Sequence, residues 1–158
     1  MVGSQTPEPK PQVQTQFQAP KVEHEHCAAT AYLAGKYLVD ALYLLQLSLA
    51  RIPHAEVSVK EEIRESWKGW AVFRAEQTAE ALEEVTRYCL DGKHLRKVEE
   101  ALNLVKEAAG LARAKPLEAY WKLDRVESIL NSVAVDVEIE FLEYTASTPR
   151  WDYARGQN

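Results

Sequence analysis

Residues 27–50 read CAATAYLAGKYLVDALYLLQLSLA, and the whole stretch carries two charges, Lys36 and Asp40. These are spaced i,i+4, so on a helix they pair with each other. Leu33, Leu38, Val39, Leu42, Leu44, Leu45, Leu47 and Leu49 are spread all round such a helix. A helix that is apolar on every side is covered on every side. A membrane span is the rival, since the length fits. The ion pair in mid-segment and the lack of flanking Lys/Arg asymmetry or a tryptophan belt speak against it. The expected element is a central helix, from about Glu25 to Ile52, packed by its own bundle on one face and by another subunit on the other.

Downstream, Ser58-Val59-Lys60-Glu61 has the S-x-x-E spacing of a capping box and predicts a second helix that runs to about Leu90. Gly92 is placed to supply the left-handed residue beyond its end. Gly69 marks a bend or a close packing point within it. A third helix is expected from about Lys93 to Ala114, with Leu95, Val98, Leu102, Val105, Ala109 and Ala112 as its apolar stripe. Pro116 suits the first position of a fourth helix, expected to reach residue 146. Residues 133–141 alternate like a strand, yet Val126, Leu130, Val133, Val137, Phe141 and Tyr144 keep one helical face, and a lone strand has no partner. The fold class is therefore all-α, a helical bundle of about four helices with an extended N-terminal arm. Short connections make neighbouring helices antiparallel.

The arm occupies residues 1–22, the bundle 23–146, and a polar C-terminal tail 147–158. Pro7, Pro9, Pro11 and Pro20 forbid a continuous helix in the arm. Gln12, Gln14, Gln16 and Gln18 alternate there with Val13, Thr15 and Phe17, a period that suits extended chain. Such a segment buries too little apolar surface to fold alone. No charged start leads into an apolar run, so an intracellular origin is expected. Cys27 and Cys89 are too few for a disulfide framework and lack CxxC spacing. A poverty of Asn, Gln and Met in the bundle is weakly thermophile-like, and hyperthermophiles do make intracellular disulfides. A hairpin turning near Ala55 leaves Cys27 and Cys89 at depths that differ by roughly 9 Å at the helical rise, so a bridge between them needs an asymmetric turn.

Motifs for chemistry are sparse. Glu23-His24-Glu25-His26-Cys27 contains one Glu-x-x-His element, whereas a di-iron bundle needs two and further glutamates. His54 and His94 have no glutamate three residues before them, so no metal site and no cofactor are expected. No Gly-rich loop or G-x-S-x-G occurs, and the chain is read as a non-enzyme without catalytic residues.

Charge is more informative. The 158-residue chain has a net charge of −5, which rules out a surface adapted throughout to polyanions and leaves room for local basic faces. Residues 93–115 hold six basic and three acidic side chains, the reverse of the helices on either side. Lys93, Arg96 and Lys97 crowd the first turn of this third helix. On the second helix Lys60, Arg64 and Lys68 recur at i, i+4 and i+8, with Trp67, Trp70 and Arg74 close by. Basic stripes beside aromatics suit a phosphate backbone. The plainer alternative is a solvated face neutralised by Glu61 and Glu65, with the tryptophans in the core.

Taken together, a polar Pro/Gln-rich arm, an apolar helix that wants a second neighbour, a compact α-bundle and local basic stripes resemble the major capsid proteins of filamentous and rod-shaped viruses of hyperthermophilic archaea. The resemblance lies in the organisation of the whole chain and in no single motif. It implies dimers, of the chain with itself or a paralogous subunit, stacked helically around A-form double-stranded DNA in a virion. Contacts would go to the DNA backbone, and Lys60, Arg64, Lys68, Arg74, Lys93, Arg96 and Lys97 are the residues expected to make them. The alternative is a cytoplasmic all-α adaptor, such as a small subunit of a ribonucleoprotein complex.

Overall fold

The computed structural model describes residues 19–137, with side chains described for residues 25–134. Most of the arm expected over residues 1–22, the end of the fourth helix and the C-terminal tail lie outside the described residues. Four helices follow in order: α1 (Ala19–Leu49), α2 (Val57–Tyr88), α3 (Gly92–Leu111) and α4 (Pro116–Val137). Among the described residues there is no strand. Each helix packs on the next, and α4 returns to α1, so the four close into a ring around one core. This is the expected all-α bundle. Helix α1 begins at Ala19, earlier than the expected Glu25.

The core is built on heptad spacing. Cys27, Ala31, Ala34, Leu38, Ala41, Leu45 and Ser48 of α1 are buried at steps of four and three. Ala71, Ala75, Thr78, Leu82 and Val85 do the same on α2, and Ala119, Leu123, Val126, Leu130 and Val133 on α4. Alternating steps of this kind give near-parallel helices with interlocking side chains. Alanines recur along the seams, which brings backbones close. The buried Ser48 and Thr78 hydroxyls are satisfied locally, Ser48 Oγ donating to Leu45 O (2.7 Å) and Thr78 Oγ1 to Arg74 O (2.8 Å).

The start of α2 departs from expectation. The helix opens at Val57, with Glu56 as the flanking residue and no side-chain cap. Lys60 N donates instead to Glu56 O at 2.9 Å. Ser58 thus sits inside the first turn, where its hydroxyl cannot take the capping role expected of it. Gly92 does adopt the left-handed conformation (φ 58°), and Pro116 is the first residue of α4. Gly69 is a packing point in an uninterrupted helix: a Cβ there would lie 3.1 Å from the Arg113 guanidinium.

Cys27 and Cys89 form a disulfide, with Cα atoms 5.8 Å apart. The depth mismatch is removed by an overhang. Arg64 donates to Ala50 O, so Arg64, and not the start of α2, lies level with the end of α1. From that level, 23 residues lead back to Cys27 and 25 lead on to Cys89, which are nearly equal rises. The first two turns of α2 project beyond α1 by about 10 Å, and Val57 and Val59 there are exposed.

The bridge closes a loop of 62 residues and clamps the open end of the α1–α2 hairpin. Loop-closure entropy assigns it about 4 kcal/mol. Denaturant unfolding with and without a strong reductant should show a loss approaching that value; equal midpoints would mean that the cross-link contributes nothing.

Candidate nucleic-acid interface

Three of the seven expected contact residues are half-buried and tied to neighbouring helices of the bundle. Arg64 Nη2 donates to Ala50 O at 3.2 Å, and so places a cation at the C-terminal end of α1, where the helix dipole favours it. Lys68 is mostly buried; its Nζ donates to Arg113 O at 3.3 Å and to Glu65 Oε2 at 3.2 Å. Arg74 pairs with Asp40 across the α1–α2 interface at 3.6 Å, donates to Gln77 Oε1, and lies over the Tyr37 and Phe73 rings. The Lys60–Arg64–Lys68 stripe therefore serves largely as a set of ties between helix ends.

The first turn of α3 is different. Lys93 and Arg96 are exposed. Lys97 Nζ donates to Ser132 Oγ of α4 at 3.3 Å, which steadies the turn. The two basic groups are not brought together. Because α3 follows directly on α2, its first turn lies at the far end of α2 from Lys68, roughly 30 Å along the axis at 1.5 Å per residue. Any single ligand touching both must run along the bundle.

Sequence reasoning missed how apolar the outer face of the α1–α2 hairpin is. Trp70 and Phe73 are 53% and 45% exposed, with rings edge-to-face at 5.9 Å. Tyr43 of α1 is exposed beside Trp70, and Leu33 is exposed ten residues earlier on α1. Trp70, Trp67, Tyr43, Asp40 and Arg74 line a shallow depression of about 430 Å³. The expectation that the tryptophans lie either in the core or beside a basic stripe resolves unevenly: Trp67 is half-buried, while Trp70 faces solvent beside an arginine already committed to Asp40.

Cys27 is in the disulfide, and His26 Nε2 lies 3.2 Å from Glu84 Oε2. Among the described residues no three His, Cys, Asp or Glu side chains are grouped for a metal ion. No helix among them is long and apolar enough to cross a membrane. Comparison of the chain with protein-family models, curated proteins and solved structures finds no match.

Burial raises the Asp40 carboxyl above its ordinary 3.8, against the pull of Arg74 and Lys36. The folded state therefore holds this proton more tightly than the unfolded chain does, and ionised Asp40 costs stability. As pH falls from neutrality through the window above 3.8, the wild type should gain stability relative to Asp40→Asn. Parallel pH profiles of the two unfolding midpoints would contradict this.

Proposed function

We propose that the protein is a structural coat subunit that assembles helically, with copies of itself or a paralogous subunit, around double-stranded DNA in a virion. The observation that carries this reading is the group of exposed aromatic side chains on the α1–α2 hairpin, Tyr43, Trp70 and Phe73, with Leu33 exposed further along α1. Exposed apolar patches mark interaction sites, and a filament subunit has to be covered by its neighbours.

The DNA contacts fall first to Lys93, Arg96 and Lys97. They sit at the N-terminal end of α3, where the helix dipole also favours anions. Lys60, on the overhanging start of α2, is the second point of contact; Arg64, Lys68 and Arg74 act on the bundle itself. The contacts go to phosphates, which suits a coat that must accept any sequence. The net charge of −5 fits a subunit whose positive groups are confined to one face.

Duplexes of unrelated sequence should bind alike, with affinity falling steeply as salt rises. Replacing Lys93, Arg96 and Lys97 together with glutamine should flatten the log–log salt slope by about 2.7, at about 0.9 per phosphate contact. The same change at Lys60, Arg64 and Lys68 should lower the melting temperature and leave more of the affinity. Wild-type binding by the α3 variant would sink the proposed DNA face, and a preference for single strands over duplex would favour the adaptor reading.

A further inference from the structure

Helix α1 carries two heptad seams; the bundle buries one and pairs the other at Asp40, through Arg74 of α2. The inner seam runs from Cys27 to Ser48. On the opposite side Ala29, Leu33, Lys36, Asp40, Tyr43 and Leu47 follow each other at steps of four, three, four, three and four. Ala29, Leu33, Lys36 and Tyr43 are exposed, and Asp40 and Leu47 are half-buried. Such spacing keeps one row of side chains facing a partner helix along about 27 Å of axis, at 1.5 Å per residue.

The order of residues along this outer seam says what the partner is. We infer that a second copy of this chain docks on it antiparallel, about a two-fold axis beside residue 38. Lys36 and Asp40 are equidistant from that point, and so are Leu33 and Tyr43, and Ala29 and Leu47. Two antiparallel copies therefore set Lys36 against the partner's Asp40, Leu33 against the partner's Tyr43 and Ala29 against the partner's Leu47. Every pair is either opposite in charge or apolar, and each occurs twice, as an isologous contact requires. A parallel pairing would put Lys36 on Lys36 and Asp40 on Asp40, two repulsions at the centre of the interface.

Helix α2 completes the fit. The depression lined by Asp40, Tyr43, Trp67, Trp70 and Arg74 adjoins the Tyr43 position of the seam, where the partner's Leu33 arrives. The leucine enters between the exposed Trp70 ring and Tyr43, an aromatic-walled socket of the kind that dominates interface energetics. Phe73 extends the same wall. The interface rests on the coat reading only for its biological purpose; its geometry is a property of the chain alone.

Sedimentation velocity of the full chain without DNA tests the contact. The wild type should be a dimer at micromolar concentration. Leu33→Glu and Tyr43→Lys, both on the exposed face and so leaving helicity unchanged, should each weaken dimerisation more than tenfold. An equimolar mixture of the two variants should recover a dimer, because the new carboxylate of one chain meets the new ammonium of the other. Leu117→Glu, at an exposed leucine on α4, should dimerise like wild type. A monomeric wild type, a mixture that stays monomeric, or dimerisation indifferent to both substitutions would overturn the interface. Dimers that form no filaments on DNA would sink the coat reading and leave the interface standing; filaments untouched by both substitutions would do the reverse.

Discussion

The close approach of α1 to its neighbours is the constraint on which the other features depend. Ala31, Ala34 and Ala41 are fully buried on its inner seam, together with Leu38 and Leu45. Small residues at alternate levels draw the neighbouring backbones in, and leucines at the others fill the space that remains. A helix gripped this way has only one side to offer the bundle. Whatever apolar residues lie on its other side are left outward, which is why Leu33 and Tyr43 are exposed in a chain that has a complete core.

The same tight packing sets the lengths of the connections. With α1 ending at Leu49 and α2 bridged at Cys89, the register of the hairpin is held at both ends: by the disulfide at one and by the Arg64–Ala50 hydrogen bond at the other. Asp40–Arg74 falls between them at the matching depth, and His26–Glu84 lies beside the disulfide. Exposed ion pairs of this sort contribute little each, but they agree on one register. The surplus length of α2 has nowhere to go except past the end of α1, and so the overhang arises.

Helix number, the antiparallel order and the starts of α3 and α4 were legible in the sequence, because heptad steps, Gly92 and Pro116 are local signals. The apolar stripe expected on α3 survives at Val98, Leu102, Val105 and Ala112, with Ala101 and Ala108 buried in addition and Leu95 half-exposed. The capping box at Ser58 failed because α2 opens at Val57, which leaves Ser58 inside the first turn and Glu56 as the flanking residue. The basic stripe was misjudged for another reason. A spacing of i, i+4, i+8 shows that Lys60, Arg64 and Lys68 share a face, but it cannot show that carbonyls at the ends of α1 and α3 stand within reach of that face. The bridge between Cys27 and Cys89 was open for the same cause, since the asymmetry that permits it lies in a tertiary contact. It stands beside the expectation of an intracellular origin, and the two agree only where a cytoplasm sustains disulfides.

The proposed coat reading rests on the closed bundle, the exposed apolar side chains of the α1–α2 hairpin and the cations at the first turn of α3. The most direct measurement is electron microscopy of the purified full chain, with and without duplex DNA of arbitrary sequence. The account predicts filaments of uniform diameter and helical pitch when duplex is present, and only small particles when it is absent. Dispersed small particles under both conditions would contradict it.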